Sequence, residues 1–179
     1  ILILISFSSL FLGFYFDENS AGAGSYKGDI QSIWKNLQIF LTYDLASSIN
    51  HPDYFDSRTP IAYILHETLN PFVKDIMSYR KSVFVISLTL PILFYFCLKQ
   101  KYTKEDNLLL VLIASTVCLS PYFRTSSYWG LEENFGLISL LLTFLSLNSF
   151  LKNENEKGLE INLLLFATTF FSSCCLYFD

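Results

Sequence analysis

The chain has 179 residues, of which 52% are hydrophobic, 17% aromatic and only 16% charged, with a formal net charge of −4. That balance argues against a soluble domain, in which about 25% of residues carry charge, and the absence of any Lys/Arg cluster excludes a nucleic-acid partner. The apolar residues are bunched in five runs at about 1–16, 83–98, 108–123, 135–151 and 161–178, each approaching the roughly 17–25 residues that cross a bilayer core. This predicts an all-α protein: a polytopic transmembrane helical bundle. The chain begins without Met inside one apolar run and ends beside another, so residues 1–179 read as the N-terminal part of one transmembrane domain with its C-terminal remainder missing.

The first run carries no charge and stops at Asp17-Glu18. It lacks the basic start and small-residue cleavage pattern of a signal peptide. Carboxylates at a membrane interface are solvated, paired or functional, because desolvating them is unfavourable. Asp17 and Glu18 therefore read either as a polar helix end or as catalytic groups: a general base, or ligands for a divalent cation. No other cofactor is indicated.

Residues 17–82 form one long loop, predicted to be extracytoplasmic and to carry interfacial amphipathic helices. The Gly/Ser-rich stretch 19–28 fits neither a phosphate-binding P-loop nor a dinucleotide fingerprint. Ile30, Ile33, Trp34, Leu37, Phe40, Leu41 and Leu45 recur at helical spacing, with Asp29 as the expected N-cap. Thr59-Pro60 predicts a second start, with Ile61, Ile64, Leu65 and Leu69 on its apolar face and a stop at Asn70-Pro71. Phe72, Val73, Ile76 and Met77 suggest a third, short helix. These stripes suit the bilayer surface or one another equally. His51 reads as a turn residue and His66 as a packing residue, since neither has a zinc-ligand partner at usable spacing.

The short loop 99–107 is basic, and 152–160 holds Lys152 and Lys157, so both are expected in the cytoplasm and the long loop outside, with Arg80 and Lys81 as contrary charges. The opposite loop, 124–134, offers Arg124, Tyr128, Glu132 and Glu133. Arg58 and Arg124 suit an anionic phosphate through the donor fork of guanidinium. Either reads equally as a surface ion pair. Tyr128 and Trp129 suit an interfacial aromatic belt, or a platform on which a sugar stacks. Cys97, Cys118, Cys174 and Cys175 lie inside apolar runs and read as small packing residues.

The first helix ending in Asp17-Glu18, the long loop with Ser57-Arg58-Thr59-Pro60-Ile61-Ala62-Tyr63-Ile64-Leu65, and the later Arg124-Thr-Ser-Ser-Tyr128-Trp129-Gly-Leu-Glu132-Glu133 together resemble the GT-C superfamily of membrane glycosyltransferases. The closest likeness is to the dolichyl- or polyprenyl-phosphate-mannose-protein mannosyltransferase-like group. Where that group places His-Pro-Pro, this chain has Arg-Thr-Pro. The resemblance implies a fragment of the GT-C fold in a cell inner (plasma) or ER membrane. It implies Asp17 as catalytic base beside Glu18, and Arg58, Arg124, Tyr128, Glu132 and Glu133 as substrate-binding residues. The implied partners are a lipid-linked sugar donor, a glycan, lipid or protein acceptor, and the bilayer. A secondary transporter, expected to show charges or breaks inside its spans, and a non-catalytic scaffold subunit are the alternatives.

Overall fold

The computed structural model describes residues 1–18, 26–55, 60–153, 158–175 and 177–178. Among these residues the chain is all-helical: α1 (Leu2–Tyr15), α2 (Tyr26–Thr42), α3 (Leu45–Ile49), α4 (Ile61–Leu69), α5 (Ile76–Ser87), α6 (Thr89–Lys101), α7 (Asn107–Ser115), α8 (Pro121–Trp129), α9 (Glu133–Lys152) and α10 (Leu159–Cys175). A 3-10 turn, Thr116–Leu119, joins α7 to α8.

Short polar side chains set the helix starts by accepting from the free N–H groups of the first turn. Asp44 caps α3, Asp75 caps α5, Asp106 caps α7 and Ser120 caps α8. Burial of these caps is slight at Asp44 and Asp75, where hydrogen bonds from Ser47 and Ser78 hold each carboxyl below its usual range.

Two helices are long and apolar enough to cross a membrane: Ile76–Lys101, in which α5 runs into α6, and Glu133–Lys152. Pro91 has no N–H to offer the carbonyl of Ser87, and the joint between α5 and α6 falls just before it, at Leu88. The run at 108–123 does not form one straight span. Ser120 is extended ahead of Pro121, as the ring of a following proline requires, and the segments 107–119 and 121–129 meet at 62°. Counted as one bent crossing, they bring the total to three. The 14 residues of α1 extend about 21 Å, less than a hydrocarbon core of about 30 Å.

α10, α9, α6, α7 and α1 follow one another as packed neighbours, with α8 lying against α1, α2, α5 and α9. The outer faces of α6, α9 and α10 leave Phe96, Phe144, Phe166 and Phe170 exposed, an apolar surface that suits hydrocarbon better than water.

Part of the predicted stripe is buried: Ile30, Leu37 and Phe40 share one core with Tyr63, Tyr79, Val83, Phe84 and Trp129, with Ile33 and Trp34 packed at its edge, whereas Leu41 is exposed and Leu45 is exposed at the start of α3. The helix begins earlier than expected, at Tyr26, so Asp29 lies in its first turn instead of capping it. The short helix expected around 72–77 is absent as a separate element, because Ile76 and Met77 already form the first turn of α5. His51 closes a turn, its Nδ1 accepting from the Asp53 N–H at 3.2 Å.

Candidate functional site

The site forms where α1 ends. Gly13 and Phe14 accept from the N–H groups of Glu18 (2.8 Å) and Asp17 (3.3 Å), the pairing that closes a helix through a left-handed residue. That residue is Asp17, with φ +52°. Glycine is usual there; aspartate tolerates the conformation at a cost of about 1 kcal/mol. The left-handed step makes the two carboxylates diverge.

Asp17 turns towards α5. Its Oδ1 accepts from Arg80 at 2.7 Å, while the aspartate side chain stays 56% exposed. Arg80 itself is buried. Its Nε donates to the carbonyl of Tyr128 at 2.8 Å, and its guanidinium lies 4.4 Å from the centre of the Trp129 ring. Backbone contact, ring face and carboxylate together fix one rotamer, so Asp17 is held by an immobile cation.

Glu18 turns towards α8 and meets Arg124. The Arg124 Nε donates to Oε1 at 2.9 Å, and Nη2 donates to Oε2. The same guanidinium donates from Nη1 to the Ser9 hydroxyl (3.2 Å) and the Cys118 carbonyl (3.1 Å), and from Nη2 to the Ser9 carbonyl (3.0 Å). Guanidinium has five N–H donors, and all five are engaged. Trp129 Nε1 adds a bond to the Glu18 carbonyl at 3.2 Å. Gly13 makes this approach possible, since a Cβ there would lie under 3.0 Å from side-chain atoms of Glu18, Tyr128 and Arg124.

A cavity of about 690 Å³ opens beside this pair. Ile1, Leu4, Ile5, Leu12 and Phe16 form its apolar wall, and Glu18 and Arg124 line it as well. A second cavity of about 690 Å³ lies between α4 and α5, with His66, Asn70 and Lys81 among mostly apolar walls.

Several expected site residues take other places. Arg124, expected on an open loop, sits on α8, whose residues Phe123 to Trp129 are all buried. Tyr128 is fully buried with its hydroxyl donating to the Leu10 carbonyl at 2.9 Å. It therefore serves as a strut between α1 and α8, not as a platform for a sugar, and Trp129 is buried beneath Arg80 instead of facing an interface. Glu132 is buried at the start of α9, and Glu133 accepts from the Ser126 hydroxyl at 3.0 Å. Both glutamates are electrostatic neighbours of Tyr79. Asp53 stands apart in an exposed pairing with Lys35 at 3.9 Å. Arg58 lies outside the described residues.

Arg80 is the functional-site residue that sequence reasoning did not assign. Its signal was a cation three positions ahead of an apolar run, where a solvated charge is unusual. The helical form of α8, though not its burial, also had a signal, in Ser120-Pro121 as a start and Gly130 as a stop.

The residues do not suit a divalent cation. Each carboxylate faces an arginine, which repels a cation, and among the described residues no three His, Cys, Asp or Glu side chains gather closely enough to hold one. What the geometry offers is an accessible carboxylate, Asp17, oriented by the buried Arg80, and next to it in the chain Glu18, paired with a second buried guanidinium, Arg124, that opens onto an apolar cavity. The chain matches no family model, no curated protein and no solved structure.

Proposed function

We propose that the protein is a membrane glycosyltransferase that moves a sugar from a polyprenyl- or dolichyl-phosphate carrier to an acceptor hydroxyl. The observation that carries this reading is the end of α1: Asp17, an exposed carboxylate held in a left-handed turn and oriented by Arg80, stands in the chain between Phe16 and Glu18, both of which line an apolar cavity that also holds Arg124. In this reading Asp17 takes the proton of the acceptor hydroxyl as its oxygen attacks the anomeric carbon. The bond from that carbon to the phosphate oxygen breaks with inversion, and the lipid phosphate leaves with the electron pair. General-base assistance of this kind contributes about a hundred- to ten-thousand-fold in rate. The acceptor is a glycan, lipid or protein hydroxyl.

The protein is, in the same proposal, a multi-pass protein of the inner (plasma) or ER membrane, with the site on the non-cytosolic side. In support, the span Ile76–Lys101 (α5 running into α6) and α9 both begin at the end that holds the site, while Lys99, Lys101 and Lys152 lie at their far ends, the basic side expected in the cytoplasm. Asp17→Asn in the intact protein tests the base. Expression is retained and transfer from a polyprenyl-phosphate sugar is lost; unchanged transfer removes the assignment.

A secondary transporter is the second reading, favoured by the 62° break ahead of the buried Arg124, since broken helices build transporter sites. Ion-driven uptake by proteoliposomes, without sugar transfer, would select it.

A further inference from the structure

Arg124 cannot hold a phosphate as the chain stands, because each of its five N–H groups already has an acceptor. The acceptors are not equivalent. The Cys118 and Ser9 carbonyls are fixed within packed helical backbone and cannot withdraw without unfolding it, and the Ser9 hydroxyl is a neutral acceptor. Glu18 follows the last turn of α1, with its side chain 31% exposed on the cavity wall. It is the anionic partner in the set and supplies two of the five acceptor atoms. Its two oxygens take Nε and Nη2 side by side, the fork geometry that guanidinium also offers to two phosphate oxygens.

We infer that Glu18 is a built-in occupant of an anion seat on Arg124, displaced when a phosphate carried on an apolar chain enters the cavity. The chain would lie along Ile1, Leu4, Ile5, Leu12 and Phe16, and its phosphate would take the Nε and Nη2 donors that Glu18 releases. Ser8 and Ser9, which line the same cavity, border the seat. Released, Glu18 moves towards solvent, where its carboxylate is hydrated. The left-handed turn at Asp17 stays closed by its own backbone bonds, so the exchange does not disturb the Asp17–Arg80 pair. The seat discriminates against neutral ligands, because removing Glu18 without a replacement leaves a buried guanidinium short of two acceptors. The choice of a lipid phosphate as ligand rests on the glycosyltransferase reading; the exchange itself does not.

Equilibrium titration of the intact, detergent-solubilised protein with farnesyl phosphate tests this, in parallel with inorganic phosphate. Glu18→Gln is expected to bind farnesyl phosphate about tenfold more tightly than wild type, because a neutral amide competes less well than a carboxylate for a charged donor. Asp17→Asn makes the same change in net charge one position away, and is expected to stay within about threefold of wild type. Should Glu18→Gln fail to fold, Glu18→Asp withdraws the carboxylate by one methylene and is expected to tighten binding in the same direction. Equal affinity in wild type and the Glu18 variants, or an equal gain in Asp17→Asn, overturns the exchange. Inorganic phosphate binding as tightly as farnesyl phosphate overturns the lipid assignment. Tighter binding in Glu18→Gln with no sugar transfer by any form keeps the seat and removes the enzyme reading, so the two failures are distinguishable.

Discussion

Asp17 and Glu18 are adjacent in the chain yet bind different arginines, Arg80 on α5 and Arg124 on α8, which lie 63 and 106 positions away. The divergence comes from one backbone angle, the φ of +52° at Asp17. Two elements that share no local sequence are thereby pinned to the same helix end.

Substitutions at Asp17 should separate backbone from charge. Asp17→Val places a β-branched residue in the left-handed region and is expected to destabilise the protein by about 1–2 kcal/mol more than Asp17→Asn. Asp17→Gly should unfold at a higher temperature than Asp17→Ala, although both remove the Arg80 partner. Thermal unfolding in detergent reads both comparisons, and an Ala variant as stable as Gly would contradict the turn.

Two glycines are expected to resist even alanine. Gly13→Ala drives a methyl into the Glu18, Tyr128 and Arg124 side chains, and such overpacking typically destabilises by about 1–3 kcal/mol. Gly130→Ala combines φ +67° with a Cβ placed 2.8 Å from Tyr79 Cε1, and should destabilise by about 2 kcal/mol or more. Gly28→Ala, exposed on the first turn of α2, meets no neighbouring atom within 4 Å and serves as the control that does not destabilise, with a gain of up to about 1 kcal/mol expected on the same melting assay.

Arg80→Lys tests whether Arg80 is more than a counter-charge. Lysine keeps the positive charge but loses the planar stacking on Trp129 and the Nε bond to the Tyr128 carbonyl. A loss of about 1–2 kcal/mol in stability is expected. In the proposed enzyme, transfer by Arg80→Lys should fall with little change in donor KM, since Asp17 loses its orientation and not the donor its seat. A rise in KM alone would place Arg80 at the donor instead.

His66 makes stability depend on pH. The Asn70 Oδ1 accepts from the Phe72 N–H at 3.0 Å, which turns the amide nitrogen towards His66 Nδ1 at 2.9 Å and Ser82 Oγ at 2.8 Å. Nδ1 must therefore accept, so the ring is neutral, and burial pushes its pKa down from 6.5 to about 4. The unfolded chain binds the extra proton between those values, so stability is complete above pH 6.5 and declines as pH falls towards 4. At about 1.4 kcal/mol per pH unit the loss reaches roughly 3 kcal/mol. Melting temperature measured from pH 7.5 to 4 should show this decline, reduced in His66→Gln; parallel curves for the two proteins would refute it.

The helical character and the stripe of α2 were legible because spacing alone determines which residues share a helix face. Thr59-Pro60 also announced α4, and the structure begins that helix at Ile61, with Pro60 at the N-cap instead of the first helical position and Thr59 outside the described residues. The bend at Pro121 was legible in principle, but an unbroken apolar run outweighed the proline. The fate of α8 was not legible. Its polar residues Arg124, Thr125, Ser126 and Ser127 look like an exposed loop, yet all are buried: Arg124 finds acceptors on Glu18 and Ser9, more than 100 positions away, while the Ser126 and Ser127 hydroxyls donate to Glu133 and to the Phe123 carbonyl nearby.

By itself the sequence determined the all-helical character and the position of two acids at the end of an apolar helix, because period and charge placement are local properties of the chain. Only tertiary structure decided which cation each acid meets, and whether an arginine stands open or filled. Those outcomes depend on buried groups brought together from distant positions, where a low dielectric both strengthens a hydrogen bond and makes a missing one costly.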